Sequence, residues 1–145
     1  MIEYVLGFMF SPDVKRVALI EKQTPSWQAG RLNGMGGKIE PNEGIGSAMA
    51  REFYEETGVS TSSTEWDLFC EMEGPDWKVF CLSCVSVKVF DVKTVEREEV
   101  GVYWVTDLSL GTHPTISNVP WLVPLAINSQ EKSDLLLTRA KYRGA

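Results

Sequence analysis

The sequence is poor in the residues that build disulfide scaffolds, zinc sites and membrane spans. Three cysteines, Cys70, Cys81 and Cys84, cannot all pair within one chain, which fits a reducing compartment better than a secreted scaffold. Cys81 and Cys84 form a CxxC, but no second pair completes a zinc set. Residues three apart on a strand also point to opposite faces, so both are expected in the core. The one histidine, His113, sits among Gly111, Thr112 and Pro114 and is expected in a surface loop. No apolar run approaches membrane-spanning length, and residues 1–6 lack the basic start, apolar stretch and small-residue cleavage site of a secretory leader. The expected location is the cytoplasm, with no membrane partner. Positive charge is scarce as well: 14 Lys and Arg against 20 Asp and Glu give a formal charge of −6, which argues against a duplex nucleic-acid footprint. An acidic protein that handles phosphates needs a cation as intermediary.

What remains is a chain of 145 residues, 43% hydrophobic and 23% charged, long enough to bury a core and read as one domain over 1–145. Residues 4–10 and 16–21 are β-prone runs flanking Ser11-Pro12-Asp13, and predict a hairpin at the edge of the fold. Asn33-Gly34-Met35-Gly36-Gly37 is either a loop that lets backbone approach something closely or a tight strand crossing. Residues 45–57 predict a helix, with Asn42 as a cap upstream and Gly58 as its stop. Alternation from Trp66 to Met72, a Gly74-Pro75-Asp76 turn and a long apolar run over 77–90 predict a second hairpin. A further strand is expected near 100–105, with Trp104 in the core. Residues 118–128 suit a short helix capped by Asn118, which Pro124 distorts unless it falls in the first turn. The polar tail, 129–145, is expected to be only partly ordered.

Chemistry concentrates between residues 37 and 59. On a helix turning about 100° per residue, Glu52, Glu55 and Glu56 project from one face. Like charges at such spacing destabilise a helix, so something must compensate. Arg51 and Lys38 neutralise part of the charge, and the arrangement suits a hard divalent cation such as Mg2+, which takes oxygen ligands. Alone, such a pattern reads as a solvated acidic face. The context changes that reading. Gly37, five residues, Glu43, seven residues, then Arg51-Glu52-Phe53-Tyr54-Glu55-Glu56-Thr57-Gly58-Val59 resembles the Nudix box at every defined position.

The resemblance implies an α/β (α+β) fold, specifically an α/β/α sandwich with a central mixed β-sheet. It implies a Mg2+-dependent hydrolase, with Mn2+ as a substitute, in which Glu52, Glu55 and Glu56 ligate metal and the Gly37 carbonyl adds another ligand. Arg51 and Glu43 would brace that site by ion pairing, since ligands must be held in position. A further carboxylate from a distant loop is expected at Glu98 or Glu99, with Glu99 favoured. Either Glu52 or Glu99 would be the general base. Many relatives pair as homodimers.

For the substrate, a small nucleotide, the segment Gly30 to Lys38 is similar to the corresponding stretch of MutT-type enzymes, which hydrolyse oxidised purine nucleoside triphosphates. There the Asn contributes to base recognition, so Asn33, Gly36 and Lys38 are candidate substrate contacts. The plainer reading of Asn33 is that it tolerates a positive φ before Gly34. Pro75 lies where ADP-ribose pyrophosphatases of the family carry a marker proline, although any hairpin turn would use it, and ADP-ribose or another NDP-sugar is the alternative substrate. Trp27, Trp77 and Trp121 are candidate stacking surfaces. A non-catalytic nucleotide-binding module and an RNA-end processing enzyme are rival expectations. Retention of every box carboxylate argues against the first, and the acidic balance against the second.

Overall fold

The computed structural model describes residues 1–131 and 137–144. One mixed sheet carries the strands β1 (Ile2–Phe10), β2 (Arg16–Glu21), β3 (Leu32–Asn33), β4 (Met35–Lys38), β5 (Asp67–Glu73), β6 (Trp77–Val85), β7 (Val100–Trp104) and β8 (Thr138–Lys141). Helix α1 (Ile45–Thr57) covers one face, and α2 (Val105–Ser109) with α3 (Val119–Glu131) the other. Period-two alternation divides the core accordingly. From β1, Val5 and Met9 pack with Ala48, Met49 and Phe53 of α1, while Leu6, Phe8 and Phe10 pack with Val119, Leu122 and Val123 of α3. Cys81 and Cys84 fall in opposite clusters.

The first hairpin lies at the centre of the sheet, not its edge. β1 runs parallel to β6 over its whole length, from Ile2 opposite Trp77 to Phe10 opposite Val85. β1 and β2 are in register only near their turn, where Phe10 faces Val17. Beyond that point they part, and the glycine-rich segment fills the fork: Leu32 and Asn33 pair with β2, Met35 to Lys38 with β1. Of the two readings of that segment, the strand crossing is the one observed. It requires glycine, because a Cβ on Gly36 would collide with the Val5 carbonyl.

Other departures have local causes. Gly44, not Asn42, takes the N-cap of α1, and Asn42 instead adopts a left-handed φ of 63° in the preceding turn. Gly58 ends the helix at φ 76°, as a helix stop should. The run over 77–90 is not one strand: β6 stops at Val85, and Ser86 caps a 3-10 turn at Val87–Asp91 through its side chain. Trp104 is 47% exposed, not core, and the Arg16 guanidinium lies 4.1 Å from its ring centre. His113 is half-buried, edge-on to Tyr103 at 5.1 Å. Pro124 sits inside α3, beyond its first turn, and the helix continues through it to Glu131. Within the tail, β8 adds a parallel strand to β5, Cys70 facing Thr138. Residues 132–136 and 145 of that tail lie outside the described residues.

Candidate functional site

The box residues assemble where α1 passes over the fork. Arg51 is the organiser. Its Nε and Nη2 donate to the two carboxylate oxygens of Glu43 at 2.8 and 2.9 Å, Nη2 also reaches the Lys38 carbonyl at 3.1 Å, and Nη1 donates to Glu52 at 2.9 Å and Glu55 at 3.4 Å. A rigid planar donor fork can serve this many oxygens, where an ammonium could not. The Arg51 hydrogen bonds hold the Glu43 carboxyl below its usual range, and Glu43 in turn raises the Arg51 pKa. Glu43 also accepts from the Glu40 N–H at 3.0 Å, which closes the loop ahead of α1.

Glu52 and Glu56 are the less solvated members of the acidic face, while the Glu55 side chain is 48% exposed. Burial pushes the Glu52 carboxyl up, against the opposing pull of Arg51. Glu56 goes further, to about 8, driven by burial and then by the Glu52 charge, with Lys22 and the Gly36 N–H (3.1 Å) opposing. Gly37 lies flat against Glu52, whose carboxylate occupies the space a Cβ would need. Among the described residues no three acidic or metal-ligating side chains converge on one point. Glu52 and Glu55 are drawn to Arg51, and Glu56 to Gly36.

The donor set nonetheless fits a hard cation. Carboxylate oxygens at adjacent turns, one of them desolvated beside another's charge and facing bare glycine backbone, lack positive charge in excess of what Arg51 supplies.

A cleft of about 640 Å3 opens from this face. Glu56, Gly36, Gly37 and Lys22 lie along it, and Asn33, Asn118, Trp27, Trp77 and Met72 line it further on. Asn33 does not take the positive φ of the plainer reading; its side-chain oxygen accepts from the Gly34 N–H at 2.9 Å, which leaves the amide donors for other partners. Lys38 is exposed and turned to the loop around Glu40 and Asn42, outside the cleft lining. Trp121, 39% exposed on α3, is also absent from the lining.

Glu99 lies in the loop just before β7, whose Val100 and Val102 pack on the α1 side. There its charge helps raise the Tyr103 pKa, after burial and together with Glu21. Glu98 is tied to Lys22 at 3.2 Å and to the Gln23 N–H. Glu96 is the further residue of that loop whose charge acts on Glu56, and both line a small depression of about 240 Å3. Sequence reading passed over Glu96, Lys22 and Asn118. An acidic run of three carboxylates in four residues signals Glu96 only weakly, and nothing local marks the other two.

Fold and site together define a class. A sequence profile of the NUDIX domain matches residues 4–117, and the chain belongs to the Nudix family of hydrolases, which act on phosphorus anhydrides. Solved structures share the fold. A MutT structure from work on Aliivibrio salmonicida and Vibrio cholerae superposes with TM-score 0.73 at 21% identity, covering 88% of this chain and 98% of that one. MutT of Bacillus halodurans gives TM-score 0.71 at 16% identity, over 99% and 91%. An ADP-ribose pyrophosphatase of Streptococcus suis gives 0.73 at 12% identity, over 95% and 98%. A search of curated proteins by sequence found no match.

Proposed function

We propose that the chain is a Mg2+-dependent pyrophosphohydrolase that cleaves a nucleoside triphosphate, oxidised purine forms included, to nucleoside monophosphate and pyrophosphate. The observation that carries this reading is one cleft joining Glu56 of α1 to a wall that carries the amides of Gln28, Asn33 and Asn118 and the indoles of Trp27 and Trp77. A nucleotide needs both ends: charge management for its phosphates and flat, hydrogen-bonding surface for its base. Glu52, Glu55 and Glu56 would hold Mg2+, or Mn2+ in its place, with the Gly37 carbonyl beside them. The bound ion would polarise phosphoryl oxygens and acidify water. Arg51 holds Glu52 and Glu55 in register, and Lys22, at the cleft wall, is placed to meet phosphate charge.

Of Glu52 and Glu99, we take Glu52 as the group that would accept a proton from the attacking water, because it stands on α1 beside Glu55 and Glu56 while the charge of Glu99 acts on Tyr103. Burial raises the basicity of Glu52, which suits that task. On the base side, the Asn33 amide offers donors and Asn118 offers an oxygen that has no hydrogen-bond partner among the described residues. That combination reads a purine edge. Three cysteines, all free and buried, suit the cytoplasm. We take the chain as one domain; a homodimer is compatible with this reading and is not required by it.

The test is product analysis. Purified protein with Mg2+ should release pyrophosphate and nucleoside monophosphate from nucleoside triphosphates, and Glu52→Gln should lower kcat by about a hundredfold or more, the usual scale for a proton-transfer group. A preference for ADP-ribose or another NDP-sugar would replace the substrate; that second reading has support in the Streptococcus suis enzyme, as near in fold as MutT. Binding without turnover would indicate a nucleotide-binding module instead.

A further inference from the structure

Beyond the segment matched by the family profile, residue 117, the chain supplies Asn118 and, after α3, the edge strand β8 and Tyr142. Tyr142 is anchored: its N–H donates to the Glu73 carbonyl at 2.8 Å, continuing the β8 to β5 pairing. From that anchor its side chain meets two residues of the cleft wall. The ring stacks on Trp77 with centres 5.4 Å apart and planes tilted by 47°. The opposite constraint on Trp77 comes from Gly74, whose missing Cβ leaves the space that the edge of the indole fills. Tyr142 Oη also approaches Met72 Sδ at 3.7 Å, and the same sulfur receives Asn118 Nδ2 at 3.6 Å.

These contacts form a chain, Tyr142 to Met72 to Asn118. A thioether is only an acceptor, so Asn118 can meet it only with its amide nitrogen. That fixes the amide with nitrogen toward Met72 and leaves Oδ1 buried and, among the described residues, without a hydrogen-bond partner. We propose that Tyr142 is a positioning residue for base selection: it holds the Trp77 ring and, through Met72, sets the Asn118 amide so that the cleft presents an acceptor to the base. The inference rests on the reading that this cleft takes a nucleobase. Its ligand class is a base whose edge carries N–H donors, as an oxidised purine does where the parent ring has an unprotonated nitrogen.

Kinetics with Tyr142→Leu and Tyr142→Phe test it, using canonical and oxidised purine triphosphates and a pyrimidine triphosphate. Tyr142→Leu should raise KM for the preferred substrate about tenfold with kcat within about twofold, the pattern of lost ground-state positioning. Its preference among the bases should shrink about fivefold or more, because a misaligned amide no longer discriminates. Tyr142→Phe keeps the ring that holds Trp77 but loses the Oη contact to Met72, so it should recover most of the KM without the base preference, and a wild-type preference in this variant would overturn the Met72 relay. A uniform loss of kcat with KM and selectivity unchanged would overturn the proposal, as would wild-type kinetics in Tyr142→Leu. If the wild-type protein neither hydrolyses nor binds any nucleotide, the cleft reading itself falls and takes this inference with it. Wild-type turnover with an indifferent variant overturns this inference alone.

Discussion

Arg51 and Glu56 are opposite solutions to one problem, carboxylates gathered faster than water can solvate them. Arg51 answers with contacts to four partners through a planar fork. Arg51→Lys keeps the charge but loses the fork, and should cost about 1–2 kcal/mol of stability, less than a fully buried ion pair because Arg51 retains some solvent. Chemical denaturation in EDTA checks this, and a loss below about 0.3 kcal/mol would mean that the fork is incidental. Among the described residues, Glu56 has no cation in hydrogen-bond contact. Its ordinary value, 4.5, applies to the unfolded chain, and its folded value is about 8. Between those values the folded state binds a proton that the unfolded state has released, so stability falls as pH rises through this window. Metal-free Glu56→Gln should therefore melt at a higher temperature than wild type at pH 9 and at nearly the same temperature at pH 5. The gain at pH 9 should be roughly 1–3 kcal/mol, the scale of relieving a buried, uncompensated carboxylate. Parallel melting curves across pH would refute the assignment. The same variant should lose activity about a hundredfold or more, because a metal-held phosphoryl group is worth several kcal/mol.

Two glycines near α1 differ in what they tolerate. Gly36 lies where β4 pairs with β1, opposite Leu6, and any side chain there meets the Val5 backbone, so Gly36→Ala should destabilise by about 2 kcal/mol or more. Gly44 caps α1 in an extended conformation with open space around it and no side-chain cap. Gly44→Ser should then add a few tenths of a kcal/mol by capping an amide of the first turn, a shift of about 1 °C in Tm. Thermal melts of both variants check the pair, and a stable Gly36→Ala would mean that the fork is looser than its geometry. Much of this element level was legible in sequence. Helix formers between Ile45 and Thr57 with Gly58 behind them gave α1, and Gly74-Pro75-Asp76 gave the β5 to β6 turn. What was not legible depended on partners far along the chain. Nothing local says that β1 and β2 part after Phe10 and Val17, because only β3, β4 and β7 make that separation favourable. Trp104 looked like core from its position in a strand, yet its ring is covered by Arg16 instead of the interior. Glu99 was favoured by sequence, and nothing local marked Glu96 as the loop carboxylate whose charge acts on Glu56.

At the scale of the whole molecule, the fork and the charge imbalance converge. Splitting the central hairpin places the backbone of Gly36 and Gly37 against Glu52 and Glu56, so this part of the acidic face rests on bare backbone and Glu56 is partly desolvated by the fold itself. The chain also carries a net −6, so no general excess of positive charge offsets that face. Burial consequently favours the protonated form of Glu56 near neutrality, and in the proposed metal site a cation would replace that proton. Metal ligation requires the ionised carboxylate, so binding should displace that proton. With Glu56 titrating at about 8, Mg2+ binding at pH 7 should release close to one proton per bound ion, and almost none at pH 9.5. The apparent affinity should climb about ninefold from pH 6 to 7 and about fivefold from pH 7 to 8, as a single linked proton with a pKa of about 8 demands. Calorimetric titration in two buffers of different ionisation enthalpy measures the release directly, and Glu56→Gln should abolish its pH dependence. A release that stays near zero at pH 7 would mean that Glu56 either is already ionised in the folded protein or does not contact the metal, and the acidic face would then have to bind its ion through Glu52 and Glu55.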